Sequence, residues 1–354
     1  MLNTEQHIDS LIIGQGLAGS ILAWQLMQCG QQVIVVADQS AASASRVAAG
    51  LFNPVTGKRL LLQADAETVI PAALSFYDQL EQRFKQQFFH NKEMLRILRS
   101  EKECDIFNQR SQDSAYAPYL GDSCATPALL KAEHGIFVQC KTGYLDTNAL
   151  LDCMKALFVA HKSYIESCFR HDDLVMKEAM VSWHGINARR VIFCEGFMAT
   201  NNPWFNWLPF QPAKGEILSF TSDQQLPEQI INAGKWLLPV SDGSYKTGAT
   251  YDHNLSNIEP SNACKSELID GLQHLLKSPL NFKLVDHQAG VRPNTRDKQP
   301  FIGTHPSHPQ LAIFNGFGSK GSMLIPYYAE RFVHHLSDGS AIPEEADISR
   351  IRYD

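Results

Sequence analysis

Ile8-Asp9-Ser10-Leu11-Ile12-Ile13 is a short apolar run, and Gly14-Gln15-Gly16-Leu17-Ala18-Gly19 follows it at once. The run has the length of a buried strand. From Ser20 to Cys29 the residues Ile21, Leu22, Leu26 and Cys29 recur at helical spacing, and Gly30 stops the pattern. A second apolar run, Val33-Ile34-Val35-Val36-Ala37, ends at Asp38. Strand, glycine turn, helix, strand and acid therefore form one βαβ unit, and each part has a physical job. Gly14 makes the tight turn, Gly16 lets the backbone approach a pyrophosphate, and Gly19 lets helix and strand pack. Leu17 and Ala18 stand in the same turn and count with the binding residues. The helix N-terminus offers N–H groups and a positive dipole end to phosphates. Asp38, about 24 positions after Gly14, can accept from both ribose hydroxyls of an adenosine. Its charge would repel a 2′-phosphate, so an NADP-type ligand is not expected.

The rest of the composition narrows the class. A chain of 354 residues suggests two domains of ordinary size. A hydrophobic fraction of 44% supports a normal core, and 19% charged residues is ordinary for a soluble protein. The net charge of −6 argues against a chain that mainly grips nucleic acid, although it leaves room for a local basic patch. No apolar run approaches the eighteen or so residues of a membrane span. Met1 to His7 is polar and acidic, which does not fit a signal peptide. The eight cysteines are scattered without a CxxC pair, so the expectation is reduced core thiols, no metal site and a cytoplasmic location.

After Asp38 the small-residue segment Ser40–Gly50 has little side chain to pack, which suits a backbone running flat along a ligand. Ser45, Arg46, Ala48, Ala49, Gly50 and Leu51 are its cofactor-binding candidates. The spacing then predicts helices over 68–88, 101–110, 148–161 and 261–277, with a last one ending near His335. It predicts strands at 93–98, 135–139, 163–169, 174–177, 181–183, 190–194, 214–220, 234–240, 244–249, 282–292 and 311–314. Residues 111–126 read as loop, and Gly143-Tyr144-Leu145-Asp146 as a turn. The α/β pieces lie at the start, middle and end of the chain and enclose blocks of antiparallel character. Domains interleaved in sequence are the consequence.

Several segments carry a resemblance. They are Gly14–Gly19, Ala48-Ala49-Gly50-Leu51, Gly143-Tyr144-Leu145-Asp146, Phe193-Cys194-Glu195-Gly196, Lys214-Gly215-Glu216, Gly248-Ala249-Thr250, Val291-Arg292-Pro293 and Gly316-Phe317-Gly318-Ser319-Lys320-Gly321. In their order and spacing, the chain resembles the D-amino-acid oxidase superfamily of FAD-dependent amine oxidoreductases. Within it the chain resembles glycine oxidase, monomeric sarcosine oxidase and the C-terminal oxidase domain of the bifunctional tRNA methylaminomethyl-uridine enzyme. The resemblance implies an α/β fold with a Rossmann-like FAD-binding domain from 1–75, 142–205 and 286–354. An α+β substrate domain with an antiparallel sheet would come from 76–141 and 206–285.

The resemblance also implies FAD, held non-covalently, since no cysteine follows Cys264 near the Arg-Pro motif. It puts Ala48 to Leu51 along the isoalloxazine, Phe169 at the adenine and Gly196 at the pyrophosphate. Gly316, Gly318, Ser319, Lys320 and Gly321 fit negative charge on a reduced flavin, because a glycine turn feeding a helix N-terminus supplies N–H donors and a dipole. Lys320 adds a cation at the same end. Arg292 is the expected substrate-carboxylate anchor and also borders the cofactor; a planar fork suits a carboxylate. Leu51 and Trp236 are the other substrate-binding candidates. Trp236 stands where glycine oxidase has a tyrosine, and the carboxylate-binding lysine of sarcosine oxidase falls near Met323. Lys246 matches the oxygen-activating lysine of sarcosine oxidase. Lys246, Arg292 and Lys320 are the expected catalytic residues. The implied activity is oxidation of an amine or amino-acid C–N bond to an imine, with dioxygen reoxidising the flavin. Oxidation of a modified-nucleoside amine in tRNA is one alternative reading, and a non-catalytic flavin-binding partner protein is another.

Overall fold

The computed structural model describes residues 6–38 and 43–353. The first residues of the N-terminal segment and the start of the Ser40–Gly50 loop lie outside the described residues. The chain divides into two compact units, Met1–Arg46 with Thr147–Ala213 and Val291–Asp354, and Val47–Asp146 with Lys214–Gly290. This division differs from the expected boundaries. Residues 47–75, 142–146 and 286–290 cluster with the second unit and 206–213 with the first; Leu51–Phe52 pairs antiparallel with Gly143–Leu145, which itself pairs with Phe89–Asn91 of the second unit.

The first unit is an eight-stranded sheet. The strand Gln6–Ile13 lies at its centre, parallel to Val33–Ala37 on one side and to Ile186–Phe193 on the other. Tyr164–Glu166 extends the parallel set beyond Val33–Ala37, and Leu311–Asn315 pairs parallel with Ile186–Phe193. Val181–Trp183, Val175–Met176 and Phe301–Thr304 add antiparallel pairs at the borders. Val33 to Ala37 is buried at every position, as a strand covered on both faces must be. The helices Leu17–Gln28, Thr147–Ala160 and Gly321–Asp338 belong to this unit.

The second unit carries an eight-stranded, mostly antiparallel sheet in which Ile230–Ala233 pairs parallel with Met94–Ile97. Alternation along its strands separates two faces. Leu237, Phe220 and Ile231 point to one face and pack with Leu272 and Leu275 of the helix Asn262–Leu275. Ile217, Trp236 and Leu238 point to the other and pack with Ala49, Tyr144 and Met94.

Several local expectations need correction. The helix expected over 68–88 spans Ala66–Phe84 and ends where Lys85 turns left-handed, so Phe88 lies beyond it. Residues 111–126 contain the strand Leu120–Cys124, and Gly143–Leu145 is the central strand of a three-stranded sheet, not a turn. The strands Ile230–Ala233 and Phe301–Thr304 have no strong sequence signal, being four residues each. Of the eight thiols, Cys194 is buried while Cys29 and Cys168 are exposed, so not all are core residues.

Within the second unit, Glu216 is a fully buried carboxylate. Lys214 Nζ stands 2.8 Å from it and His287 Nε2 2.7 Å, and Ser261 donates from its amide at 3.0 Å. Burial pushes its acidity down, but hydrogen bonds led by Lys214 outweigh that and hold the carboxyl below its ordinary range. Its folded value lies below its unfolded one. The stability it contributes is therefore complete above about pH 4.5 and is lost as pH falls through the lower folded value. Glu216→Ala leaves Lys214 buried without its counter-charge and is expected to lower unfolding free energy by about 3–5 kcal/mol in denaturant titrations at neutral pH. The gap to wild type should narrow on the acid side; a gap constant down to the acid transition would contradict the assignment.

Candidate active site

Parallel strands of one sheet end at one edge, and a crevice outside their carboxyl ends is the usual place for a ligand in such folds. In the first unit Gln6–Ile13 ends in Gly14–Gly19, and Val33–Ala37 ends in Asp38. Ile186–Phe193 ends in Glu195-Gly196, and Leu311–Asn315 ends in Gly316–Gly321. All four termini carry candidate residues.

The first turn is held by close backbone packing. Gly14 has φ +108°, and a Cβ there would meet the Cys194 carbonyl oxygen at 2.5 Å. A Cβ on Gly19 would collide with the Gly14 carbonyl. Gly16, the N-cap of Leu17–Gln28, differs, since a Cβ there would meet only the Ser45 side chain, 3.2 Å from its hydroxyl. Leu17 N donates to Ser45 Oγ at 3.1 Å. Arg46 is committed to Asp152, with Nη1 2.6 Å from Oδ1, and its carbonyl accepts from Asn148 Nδ2 at 3.1 Å. Phe169 packs its ring against Trp183 and His171 at the side of the core. Gly196 has φ +60° and faces open space where a Cβ would stand.

The last turn has its own support. Asn315, buried at the end of an apolar strand, donates from Nδ2 to the Gly196 carbonyl at 2.9 Å and accepts from Gly316 N at 2.8 Å. It thereby ties two of the strand ends together. A Cβ on Gly318 would meet Asn294 Oδ1 at 2.5 Å. Lys320 is the N-cap of Gly321–Asp338 and makes no side-chain cap bond. Burial, and then the charge of Lys298, lower its pKa. A desolvated cation beside a second cation is stabilised by any anion placed there.

Sequence reasoning missed Asn294, Lys298, Asn315 and the carboxylate of Glu195, which meets His171 Nε2 and Asn202 Nδ2 at 2.8 Å each. The usable signal was a polar residue closing a short apolar run, as Asn315 closes Leu311-Ala312-Ile313-Phe314 and Glu195 closes Val191-Ile192-Phe193-Cys194.

In the second unit, Gly50 has φ +67° and is fixed against Leu145, whose N donates to its carbonyl at 2.9 Å. Ala49, Leu51 and Trp236 meet in one cluster. Trp236 and Gly248 are register partners, and a Cβ on Gly248 would run into the indole at 2.6 Å. Lys246 is opposite Leu238 on one side and Ser219 on the other, so its side chain leaves the sheet on the Trp236 face. Arg292, which belongs to the first unit, ends the strand Lys283–Arg292 and is half-buried. Asp297, its most obvious nearby acid in sequence, is paired with Arg350 at 3.0 Å. His287 is spent on Glu216.

The residues of the first unit fit a dinucleotide. Two glycine turns feed helix N-termini that no side chain of their N-cap residues closes, and at the half-buried Gly16 the neighbour of a Cβ would be the Ser45 side chain and no backbone.

Comparison with known proteins agrees with this geometry. A family model described as DAO, FAD dependent oxidoreductase, matches residues 9–334. The tRNA 5-methylaminomethyl-2-thiouridine biosynthesis bifunctional protein MnmC of Marinobacter nauticus is 26% identical over 344 residues, covering 90% of this chain and 54% of that protein. The chain thus spans about half the length of such relatives. Glycine oxidase of Pseudomonas putida is 28% identical over 140 residues, 39% of this chain and 38% of that one. Among solved structures, glycine oxidase from Bacillus cereus superposes with a TM-score of 0.80 at 20% identity, covering 95% of this chain and 96% of that chain. Iminodiacetate oxidase from Chelativorans sp. BNC1 gives 0.78 at 18%, covering 96% and 98%. At those identities the structures establish a shared fold.

Gly16→Val is the sharpest test of the cradle. It should leave the helical circular dichroism signal unchanged and lower flavin retained per chain after purification at least roughly tenfold. Full flavin content in that variant would show that the turn does not meet the cofactor.

Proposed function

The chain belongs to the DAO family of FAD-dependent oxidoreductases, and from that premise we propose that it oxidises the C–N single bond of an amine or amino acid to an imine. Bound FAD would supply the hydride acceptor and pass the electrons on to dioxygen. The observation that supports this best is the set of strand termini in the first unit, where Gly14–Gly19, Asp38, Gly196 and Gly316–Gly321 share one edge of the sheet. The same reading has the FAD bound without a covalent link.

The roles of the chain's own residues follow from their chemistry. The two helix N-termini favour negative charge and would hold it, the first that of the pyrophosphate and the second that of a reduced flavin, with Lys320 adding a cation to the second. Arg292 would hold a substrate carboxylate with a planar fork. Leu51 and Trp236 would shape the apolar side of the substrate site, where Trp236 donates only through its indole N–H. No protein base is needed if the amine binds neutral, since positioning carries much of the work. Lys246 would stabilise negative charge developing on dioxygen. Asp242 tempers it from the neighbouring hairpin turn; its carboxyl is held low by Ser244 first and by Lys246 among lesser causes.

A second reading is favoured by the 344-residue match to MnmC, whose name refers to tRNA nucleoside biosynthesis. On that reading the amine is carried on a modified nucleoside in RNA.

Anaerobic flavin bleaching with a panel of amines and amino acids tests the function, and bleaching by none of them would leave a flavin-binding protein without this activity. Arg292→Ala is expected to raise KM for the best carboxylate-bearing substrate by an amount equivalent to about 2–5 kcal/mol. An unchanged KM would move the anchor elsewhere.

Lys246→Met should leave anaerobic reduction nearly unchanged. Stopped-flow reoxidation by dioxygen should slow about a hundredfold, a loss of roughly 2.7 kcal/mol. Wild-type reoxidation in that variant would remove the lysine from the oxygen step.

A further inference from the structure

In the second unit, the turn between the short strands Val55–Thr56 and Leu61–Leu62 faces the start of the helix Glu101–Ser111 across a cleft of about 600 Å³. Lys58 and Arg59 line it from the turn, and Arg99, Ser100, Lys102, the carboxylate residue Glu103 and Ile106 from the helix side. Ser100 is the helix N-cap and accepts from Glu103 N. Arg99 is tied to the Glu103 carboxylate, Nη2 to Oε1 at 2.5 Å. Lys58, Arg59 and Lys102 are exposed and make no ion pair among the described residues. Glu101 stands in the same helical turn but does not line the cleft.

A fifth cation lies close by. Arg96 is 4% exposed, donates from Nη2 to the Gly57 carbonyl at 3.1 Å and from Nη1 to Asn232 Oδ1 at 3.3 Å, and leaves Nε without a partner. Burial first, and then Arg99, push its pKa down to about 10. The region thus gathers Lys58, Arg59, Arg96, Arg99 and Lys102 around one paired acid, on a chain whose net charge is −6. Such an excess is relieved by an anion from outside. The exposed cations come from two separate elements across a space much larger than one phosphate needs, an arrangement that suits successive phosphates of a polymer. Lysine and arginine both serve there, the first as point charge and the second as fork.

We propose that this cleft binds the phosphodiester backbone of an RNA. The inference rests on the reading that the substrate amine is carried on a nucleic acid, and it names the surface that would hold that substrate. Backbone contacts position a nucleic acid without reading its sequence, so the cleft supplies affinity and register, and the chemistry lies elsewhere.

The test is filter binding of bulk tRNA by the flavin-loaded full chain over a salt series. Three phosphate contacts predict a log–log slope of about −2 or steeper, at ~0.7–0.9 for each phosphate neutralised. The Lys58→Gln/Arg59→Gln/Lys102→Gln variant should lose about 2 from that slope, and Lys58→Gln alone about 0.7–0.9. Lys277→Gln/Lys283→Gln, two exposed lysines elsewhere in the unit, should change nothing. Absence of salt-dependent retention, or a triple variant with the wild-type slope, overturns the proposal. So does triple-sensitive binding of phosphatidylserine vesicles or inorganic tripolyphosphate without RNA retention. Wild type that bleaches with free amines yet retains no tRNA sinks the cleft and leaves amine oxidation standing. Retention through the cleft with no flavin bleaching by free amines or by tRNA carrying the modified amine sinks amine oxidation and leaves the cleft standing.

Discussion

Backbone meets backbone at Gly14 with no room for a side chain. Its Cβ position is occupied by the Cys194 carbonyl oxygen, and the Cβ position of Gly19 by the carbonyl of Gly14 itself. Those two approaches lock the first helix against two parallel strands at once. Gly14 N also donates to the Val36 carbonyl, and Cys194 N to that of Ile13, both at 2.8 Å. Three strand ends are therefore fixed relative to one another by main-chain groups, which have no rotamers to lose. Any side chain at either glycine would force the strands apart, and the edge that carries the candidate site would no longer be one surface.

The fourth strand end is fixed differently. Asn315 spans from Gly316 to the Gly196 carbonyl, a side-chain bridge that does in one residue what backbone packing does at Gly14. A buried amide is tolerated at the end of an apolar strand only because its donor and acceptor are both used. Lys320, at the N-terminus of the last helix, is a partly desolvated cation: burial first, and then the charge of Lys298, lower its pKa.

In the second unit one sheet does two jobs by alternation. Odd and even positions of the same strand face a structural helix and the Ala49–Leu51 loop respectively. Leu237 packs under the helix Asn262–Leu275 while its neighbours Trp236 and Leu238 meet Ala49. Thr247 is buried on the helix side and donates to the Trp236 carbonyl at 2.9 Å, which pins the backbone between Lys246 and Gly248. The strand that presents Lys246 is thus anchored from behind. The Glu216–Lys214–His287 cluster holds the adjoining strand in a similar way, with the charges satisfied by one another and by the cap of the next helix.

The sequence by itself determined the βαβ unit, the glycine turns, the acid at Asp38, the main helices and most strands longer than four residues. These depend on interactions between near neighbours in the chain, where spacing reports geometry directly. The roles of Gly14 and Gly19 were legible for the same reason. Tertiary structure alone decided which distant segments pair. Leu51–Phe52 joins Gly143–Leu145, which itself pairs with Phe89–Asn91; 47–75 and 142–146 fall in the second unit, and an expected turn is a strand. Ile230–Ala233 lies parallel to Met94–Ile97. Asn315 reaches Gly196, and Asp297 is taken by Arg350. Arg96, one basic residue among many in the sequence, became a buried guanidinium near the cations of a cleft. Two-residue and four-residue strands have too few side chains to show a period, and a long-range partner leaves no mark on local spacing, so only the folded chain could place them.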